Sequence, residues 1–181
     1  MTEQLVERIR NHDQRAMGQL YQRYVGMLSS VCYRYVPAED DAKDVLQNSF
    51  IKIFRSISTF DYRGENAFKG WMARVVVNEA LNFLKEKKKV SFVEQDMAHL
   101  LQIPDEEDLD IEYVSPEELH QAVRELPDGY RMVVNLYVFE GCSHKKIAEM
   151  LGIKEATSAS QLFRAKQLLA RKIKEIMKGK Q

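Results

Sequence analysis

Four polar side chains near the end of the chain recur at a spacing that suits contact with DNA bases. Small and apolar residues at positions 158, 162, 165 and 169 predict a helix with one buried face. The other face carries short or forked hydrogen-bonding groups, the kind that reach base edges in a major groove. These groups are Thr157, Ser160, Gln161 and Arg164.

A shorter helix is predicted just before this one, and a glycine separates the two. Ile147 and Leu151 place apolar groups on one face, and Gly152 can adopt the left-handed backbone that ends a helix. Lys145 and Lys146 lie in the first turn, where the helix dipole disfavours cations and a nearby phosphate would reverse that effect. The pattern also fits an ordinary pair of antiparallel helices, but the lysines favour a DNA-binding helix-turn-helix.

A second block, between positions 60 and 89, combines aromatic, asparagine and basic side chains. Aromatic rings can stack on unpaired bases, and cations can hold phosphates. Phe68 and Trp71 lie on the apolar face of a predicted helix, so we expect both in the core. Tyr62 and the loop around it are better placed for contact with nucleic acid.

Two asparagines in this block, Asn78 and Asn82, lie one turn apart in an otherwise apolar helix. Because asparagine is a poor residue for a helix interior, contact with base edges explains the pair better than a structural role does. The other polar candidates of the block are Arg63, Asn66, Arg74, Lys85 and Lys87–Lys89. A solvated helix end is the alternative for the last three lysines.

The elements that position these groups are predicted to be helices. The chain of 181 residues has only 8 glycines and 4 prolines, together with long stretches of helical periodicity. Asp13 predicts the N-cap of a long helix that Pro37 ends, and an acid-rich start indicates the next helix. The inner face of that next helix is predicted at Ala42, Leu46, Phe50 or Ser49, Ile53 and Ile57, and its outer face at Asp41, Asp44, Asn48, Ile51 and Arg55, with Gln47 at the border.

Further helices are predicted on both sides of an acidic connector. A loop at 61–66 precedes the helix that carries the two asparagines, and later helices are predicted at 117–126 and 130–140. Residues 91–118 contain ten acidic residues and no lysine or arginine, whereas the segments on either side are net basic. The predicted fold is therefore all-α, with small helical domains at 1–90 and 116–181 and an acidic flexible linker at 91–115.

Several classes of function find no support in the sequence. The polar N-terminus carries no secretory signal and no apolar run could span a membrane, so we expect a cytoplasmic protein that is not itself a membrane protein. Cys32 and Cys142 are predicted to be small, buried or half-buried residues, not a disulfide framework. Catalytic residues, a metal site, a cofactor and a small-molecule substrate are not expected, because no nucleophile–base pair, phosphate loop or metal-ligand spacing occurs.

Three segments, taken in order, resemble a sigma factor of the sigma-70 family, in its compact extracytoplasmic-function subclass. "DDAKDVLQNSFIKIF" is similar to the helix that grips the clamp of core RNA polymerase, and "FDYRGENAFKGWMARVVVNEALNFLK" to the part that melts and reads the −10 element. "SHKKIAEMLGIKEATSASQLFRAKQLL" is similar to the reader of the −35 element. With the helices between them, these segments cover nearly the whole chain except the linker.

The resemblance implies a role for each candidate residue. It implies that Asn78 and the loop at 61–66 shape the pocket for a base flipped out of the −10 element. Residues 1–90 would be region 2 and residues 116–181 region 4 of such a factor. Core polymerase would be bound through its beta-prime clamp and beta flap, and the resemblance also implies promoter DNA and an anti-sigma factor as partners. The implied polymerase-binding residues are Asp41, Asp44, Gln47, Asn48 and Ile51; those for the −10 element are Tyr62, Arg63, Asn66, Arg74, Asn78, Asn82 and Lys85; and those for the −35 element are Lys145, Lys146, Lys154, Thr157, Ser160, Gln161 and Arg164.

The chain departs from this family pattern in the second helix of the helix-turn-helix. Lys154 stands where relatives usually have an N-cap serine or a similar residue, and Ser158 where they often have a branched apolar residue. Ala159 and Gln161 replace residues that are commonly basic, so we expect a shallower salt dependence of DNA binding. A stand-alone helix-turn-helix regulator, acting as a dimer on a palindrome, is the alternative function.

Overall fold

The computed structural model describes residues 2–87 and 114–179, and these residues form two compact units that divide after Lys87. Every element in these two ranges is helical, which confirms the predicted all-α fold. Of the predicted linker at 91–115, only residues 114 and 115 are among the described residues. Lys88 and Lys89 lie outside them. The helices are α1 (Thr2–Arg10), α2 (Gln14–Tyr35), α3 (Glu39–Ser56) and α4 (Glu65–Glu86) in the first unit, and α5 (Pro116–Arg124), α6 (Asp128–Val134), α7 (His144–Leu151) and α8 (Glu155–Lys178) in the second.

The ends of the first helices follow the signals that the sequence carries. The Asp13 carboxylate accepts hydrogen bonds from the backbone N–H groups of Arg15 and Ala16, at 2.9 and 3.1 Å, and so caps α2. The helix stops at Tyr35, two residues before Pro37, as predicted. A single 3₁₀ turn, Ile57–Thr59, follows α3.

The loop before α4 is shorter than the sequence predicts. Gly64 has φ +104°, a conformation that favours glycine, and α4 begins at the next residue. Asn66, which was predicted in the loop, therefore lies in the first turn of α4. Arg10 of α1 holds the chain just before this loop in place, because its guanidinium donates hydrogen bonds to the carbonyls of Ile57 and Phe60.

The core of the first unit lies where α2, α3 and α4 pack against one another. The predicted inner face of α3 is confirmed, and Val45 also belongs to it. The sequence left open whether Ser49 or Phe50 lies on this face, and both side chains are buried. The Ser49 hydroxyl can be buried because it donates to the Val45 carbonyl at 2.7 Å.

An aromatic cluster closes the end of this core near the 61–64 loop. Phe68 is fully buried, as predicted, and its ring lies 5.9 Å from Tyr24 and 5.7 Å from Trp71. Trp71 is only half-buried, because one face of its ring rests on Phe60 at 4.7 Å while the rest of the side chain reaches the surface. These contacts hold the start of α4 and the preceding loop together.

The second unit is a set of short helices packed on α8. Ser115 and Glu118 form a capping box at the start of α5, which begins at Pro116. The helix α6 continues into a π-helical stretch, Asn135–Phe139, and Gly141 with φ +63° ends it, close to the predicted 130–140 helix. Both cysteines are unpaired; Cys32 is buried and Cys142 half-buried, as predicted.

Candidate nucleic-acid and protein interfaces

The outer face of α3 presents most of the side chains that were predicted to meet a protein partner. Asp41 differs from the others, because only 18% of its side chain is exposed and it forms an ion pair with Lys87 at the end of α4. It therefore ties α3 to α4 as well as lying next to the open face. The open positions are Asp44, Gln47, Asn48 and Ile51, and Ile51 is an exposed aliphatic side chain in a polar surrounding.

The acidic start of α3 has the features of a solvated helix end. Lys43 donates a hydrogen bond to Glu39 at 2.9 Å, and this bond lowers the pKa of the Glu39 carboxyl. The side chain of Asp40 is 99% exposed. Within residues 2–87 and 114–179, no group of three or more histidine, cysteine, aspartate or glutamate side chains is placed to hold a metal ion.

Polar side chains form a stripe along one side of α4. Arg74, Asn78, Asn82 and Lys85 recur every three or four residues, and all four are exposed. At 1.5 Å per residue, the stripe extends for about 16 Å along the helix. Asn66 continues it toward the start of the helix, two turns before Arg74, and is also exposed. The spacing suits a run of contacts along an extended strand.

One residue of this stripe, Asn78, also lines an open cleft between α3 and α4. The cleft has a volume of about 420 Å³ and is open to solvent. Val75 supplies an apolar wall, and cations and an acid surround the polar end. The complete lining is Lys52, Arg55, Ser56, Val75, Asn78 and Glu79.

The lining of this cleft differs from that of the pocket that the sequence predicts for a base, which combines Asn78 with the loop at 61–66. The last turns of α3 line the cleft beside Asn78. The pocket at the loop stays a prediction. Lys52 pairs with Glu79, and the Ser56 hydroxyl donates to the Lys52 carbonyl at 2.6 Å. Sequence reasoning missed these residues because their positions on α3 signal nothing until α4 is packed beside them.

The loop residues predicted to contact DNA lie at the surface next to the aromatic cluster. Tyr62 is half-buried, and its ring contacts that of Phe68 in a tilted arrangement with the centroids 6.1 Å apart. Arg63 is exposed and donates to Asp61 at 2.8 Å. The tyrosine is thus held in place, while the arginine extends into solvent.

The helix-turn-helix forms where it is predicted. The Ser143 hydroxyl accepts a hydrogen bond from the backbone N–H of Lys146 and caps α7. Gly152 has φ +71° and ψ 35°, the left-handed conformation, and its N–H donates to the Ala148 carbonyl at 2.9 Å. Lys154 occupies the N-cap of α8 without a side-chain capping bond, as its residue type predicts.

The first residue of α7, His144, forms a hydrogen bond with α8 that the sequence alone does not predict. Nδ1 of His144 and Oγ of Ser158 are 3.0 Å apart, and the Ser158 side chain is fully buried. The ring of Tyr137 stacks on the imidazole, with centroids 4.8 Å apart. Together these contacts fix the crossing of the two helices.

The outward face of α8 carries three of the four predicted base-contacting groups. Ser160 is exposed, and Thr157 and Arg164 are half-buried. The Ser160 hydroxyl donates to the Thr157 carbonyl at 3.0 Å, so its oxygen can still accept a hydrogen bond. Phe163, which the sequence analysis missed, is 61% exposed beside Arg164. An exposed aromatic ring on such a helix suits apolar contact with a thymine methyl group.

The prediction that Gln161 faces outward is wrong. Its side chain is only 8% exposed, and its amide lies 3.6 Å from the position that a Cβ on Gly129 would occupy. Gln161 lies three residues after Ser158 and four before Ala165, both fully buried, so it falls at the edge of the inner stripe. Because α6 covers that edge, Gln161 is not available to DNA.

Three lysines were predicted to hold phosphates near this face. Lys145, Lys146 and Lys154 are all exposed. Lys146 also donates to Glu149 at 3.3 Å on the surface of α7. An exposed pair of this kind is weak and easily exchanged for a phosphate contact.

Exposed apolar side chains form a second kind of surface in this unit. The π-helical stretch leaves Tyr137, Val138 and Phe139 between 40% and 59% exposed, and Leu119 of α5 is 39% exposed. The rings of His120 and Phe139 are 6.1 Å apart, which brings α5 and this stretch together. Clustered exposed apolar groups are typical of a protein-binding surface.

Two sequence families match these two units. The chain matches the model of sigma-70 region 2 over residues 20–90 and that of sigma-70 region 4 over residues 116–169. The helix of the −10 block lies in the first match and the helix-turn-helix in the second. No helix in the described ranges is long and apolar enough to cross a membrane.

Curated relatives match over nearly the full chain. It is 32% identical to the ECF RNA polymerase sigma-E factor of Haemophilus influenzae over 183 residues, which covers 96% of this chain and 95% of the relative. The sigma-E factor of Escherichia coli K12 is 31% identical over 184 residues, with the same coverage. A solved structure of the sigma factor RpoE with the anti-sigma factor NepR from Bartonella quintana has a similar fold, with a TM-score of 0.51, 19% identity, and coverage of 87% of this chain and 96% of that one.

Proposed function

Because this chain belongs to the sigma-70 family and is an extracytoplasmic-function RNA polymerase sigma factor, we propose that its two helical units divide promoter recognition between them. The observation that carries this conclusion is the similarity to sigma-E factors over 96% of the chain. A sigma factor binds core RNA polymerase and directs promoter recognition, DNA melting and initiation. The alternative function, a dimeric stand-alone regulator, is not favoured, because it does not explain the match of residues 20–90 to sigma-70 region 2.

We assign residues 1–90 to polymerase binding and to the −10 element. The exposed side chains of α3 would contact the clamp of the polymerase. On α4, the stripe of exposed polar groups from Asn66 to Lys85 would follow the non-template strand. A flipped base would enter the cleft beside Asn78, where Val75 offers an apolar wall. Flipping costs a few kcal/mol, which stacking and edge contacts in the cleft would offset.

We assign residues 116–181 to the −35 element. Thr157, Ser160 and Arg164 would reach base edges, Phe163 would contact a thymine methyl, and the three exposed lysines would hold phosphates. Gln161 has no part in this assignment, because its side chain is buried. The acidic linker would connect this unit to the −10 unit across the polymerase surface.

The proposed partners follow from the family and from exposed surfaces. The apolar surface at Leu119 and 137–139 would take the beta flap of core polymerase, which is the protein contact expected of the −35 unit. An anti-sigma factor is proposed as a further partner, since the similar RpoE was solved with one. Because its polymerase is cytoplasmic, we place the factor in the bacterial cytoplasm, with no catalysis of its own.

Reconstitution tests the proposed function directly. The purified chain and core RNA polymerase would be assayed for run-off transcription on a library of genomic fragments. We expect initiation at discrete sites that depends on the chain. Failure to bind core polymerase, together with tight binding of the free chain to a palindromic site, would overturn the proposal.

Two pairs of variants test the residue assignments in the same assay. Asp44→Lys should weaken binding to core polymerase at least tenfold, whereas Asp40→Lys, an equal charge change at an exposed position in the first turn of the same helix, should not. Asn78→Ala should abolish the base preference at one −10 position. Glu86→Gln, an exposed change on α4 outside the cleft, is its control.

A further inference from the structure

Arg10, the last residue of α1, holds the turn that precedes the 61–64 loop. Its Nε donates to the Ile57 carbonyl at 3.4 Å, and its Nη2 donates to the Phe60 carbonyl. Its Nη1 donates to the Glu7 carboxylate, one turn back on α1, at 2.9 Å, which orients the guanidinium. Only 30% of the arginine side chain is exposed. A residue far away in sequence thus determines how the chain enters the loop.

The two carbonyls lie where the chain leaves a helix. α3 ends at Ser56, the 3₁₀ turn follows, and Phe60 is extended, with φ −75° and ψ 124°. The last carbonyls of a helix lack partners within it, and a cation near them is favourable. The rigid guanidinium fork of Arg10 can bond two such carbonyls at once, which the single ammonium of a lysine does not reproduce.

Phe60 connects this anchor to the aromatic cluster and to the loop. Its ring lies 4.7 Å from that of Trp71 and 5.4 Å from that of Phe68. Tyr62, two residues later, contacts the same Phe68 ring, with the centroids 6.1 Å apart. The bond from Arg10 fixes the backbone of Phe60, so it also limits where the Tyr62 ring can lie.

The other end of the loop is held less firmly. Arg23 of α2 donates to both carboxylate oxygens of Glu65, the first residue of α4, at 3.1 and 3.2 Å. Both side chains of this pair are 37% exposed, and ion pairs at the surface contribute little. The hydrogen bonds from Arg10 to the backbone are part-buried, where such bonds are stronger. The conformation of the loop therefore depends more on Arg10 than on Arg23.

We infer that Arg10 is a positioning residue for recognition of the −10 element, because it holds the loop that presents Tyr62 and Arg63. The inference rests on the proposed function, in which residues 1–90 recognise that element. A loop that is ordered before it binds loses less conformational entropy on binding, which raises its affinity for the DNA strand. α1 precedes residues 20–90, which match the region 2 model, and Arg10 gives it a part in promoter recognition without a contact to DNA.

The alternative is that Arg10 only attaches α1 to the rest of the unit. Apolar packing already does so, because Val6 and Ile9 of α1 are each 1% exposed. Arg8, on the same helix, provides the matched control. It donates to Asp13 at 2.8 Å and, among the described residues, makes no hydrogen bond to the loop. Arg8→Gln and Arg10→Gln remove the same charge from the same helix, and only a role in the loop makes them differ in DNA binding.

The test is the affinity of the reconstituted holoenzyme for a labelled single strand with the non-template sequence of a −10 element that the run-off assay identifies. Arg10→Gln should weaken this binding about tenfold, because two hydrogen bonds from a charged donor are lost, while binding to core polymerase is unchanged. Arg10→Lys keeps the charge but not the fork and should weaken it about threefold. Arg8→Gln should bind as wild type. In a chain that carries both Tyr62→Ala and Arg63→Ala, Arg10→Gln should have no further effect, because the side chains that it positions are gone.

Other outcomes separate the inference from the function on which it rests. The inference is overturned if Arg10→Gln binds the strand as wild type, if Arg8→Gln loses as much, or if the effects of Arg10→Gln and the loop substitutions add. It is equally overturned if the loop substitutions alone leave binding unchanged. If the wild-type holoenzyme neither initiates nor binds the strand, the proposed function fails instead.

A measurement of folding keeps the test decisive. Unfolding followed by the fluorescence of Trp71, the single tryptophan, shows whether each variant is folded. If Arg10→Gln does not fold, Arg10→Lys takes its place in the same comparison with Arg8→Gln and with the loop substitutions. Binding of the strand by Arg10→Lys at wild-type affinity would then overturn the inference.

Discussion

His144 and Ser158 form the contact that joins the two helices of the DNA-binding motif, with Nδ1 and Oγ 3.0 Å apart. Ser158 occupies a fully buried position, where a hydroxyl without a partner would be costly. The histidine at the start of α7 supplies that partner, and the ring of Tyr137 stacks on the imidazole. The departure from the family pattern at Ser158 is therefore matched by a second residue, and the two act as a unit.

Ser158→Ala and His144→Ala should each destabilise the second unit, and the two effects should not add. A hydrogen bond of this kind contributes about 0.5–1.5 kcal/mol, so we expect a coupling free energy of that size in the double-mutant cycle. Denaturant unfolding followed by circular dichroism measures it. Trp71 fluorescence reports only on the first unit and should not change. Additive effects of the two substitutions would contradict the coupling.

Local signals were sufficient to predict the helices and most of their ends. Asp13 caps α2, Pro37 follows its end, and Gly152 takes the left-handed conformation in the turn, each as predicted. These residues act through their own backbone, so their neighbours in sequence are enough to predict them. Gly64 predicted the position of the loop correctly, but α4 begins two residues earlier than predicted. Helix ends are the feature that a sequence pattern determines least well.

The features that the sequence alone did not predict depend on which helices pack beside one another. Gln161 has a polar side chain and a position at the border of the inner stripe, and only the packing of α6 against α8 decides that it is buried. The cleft at Asn78 depends in the same way on the last turns of α3, since Lys52 and Ser56 carry no signal of their own. Helical periodicity identifies a buried face but not its exact width.

Two glycine substitutions should change stability in opposite directions. Gly152→Ala places a Cβ at φ +71°, so we expect a loss of about 1–2 kcal/mol in the unfolding free energy of the second unit. Gly26→Ala lies within α2, where nothing is within 4 Å of the new Cβ, and should stabilise the first unit by about 0.5–1 kcal/mol. Circular dichroism follows the first change and Trp71 fluorescence the second. Equal signs for the two would contradict the backbone argument.

Replacing Gln161 by leucine tests the corrected position of its side chain. Oε1 of Gln161 is buried and makes no hydrogen bond, so an apolar side chain of similar size should raise the unfolding free energy by about 1 kcal/mol. The affinity of the holoenzyme for a duplex with the −35 element should stay within twofold. Arg164→Ala is the comparison, because loss of a base contact there should weaken binding by about 1–3 kcal/mol. A loss of the same size in Gln161→Leu would restore Gln161 to the DNA-binding face.

The buried thiol of Cys32 should make the first unit less stable at high pH. Burial raises the pKa of this thiol to about 12, and its Sγ donates to the Ala42 carbonyl at 3.7 Å. The unfolded thiol loses its proton near pH 8.5, so between that pH and about 12 the folded state binds more protons and stability falls as pH rises. From pH 8.5 to 10 we expect Cys32 to account for a loss of about 1–2 kcal/mol.

Variants separate this contribution from that of the tyrosines, which also titrate at high pH. Denaturant unfolding at pH 8.5 and pH 10, followed by Trp71 fluorescence, should show a smaller loss in Cys32→Ala than in the wild-type chain. Cys142→Ala, which lies in the other unit, should leave this transition unchanged. Equal pH dependence in the wild-type chain and Cys32→Ala would mean that the thiol ionises without unfolding.

Lys145 and Lys146 should each contribute about one unit to the salt dependence of promoter binding. Both are exposed in the first turn of α7, where a phosphate would offset their unfavourable interaction with the helix dipole. Each phosphate contact adds about 0.9 to the magnitude of the slope of log affinity against log salt, so Lys145→Gln with Lys146→Gln should lower it by about 2. Anisotropy of a labelled promoter fragment with the holoenzyme measures the slope, and Lys178→Gln at the far end of α8 is the control. An unchanged slope would mean that neither lysine contacts the DNA backbone. The positive charge in the first turn of α7 would then not serve DNA binding.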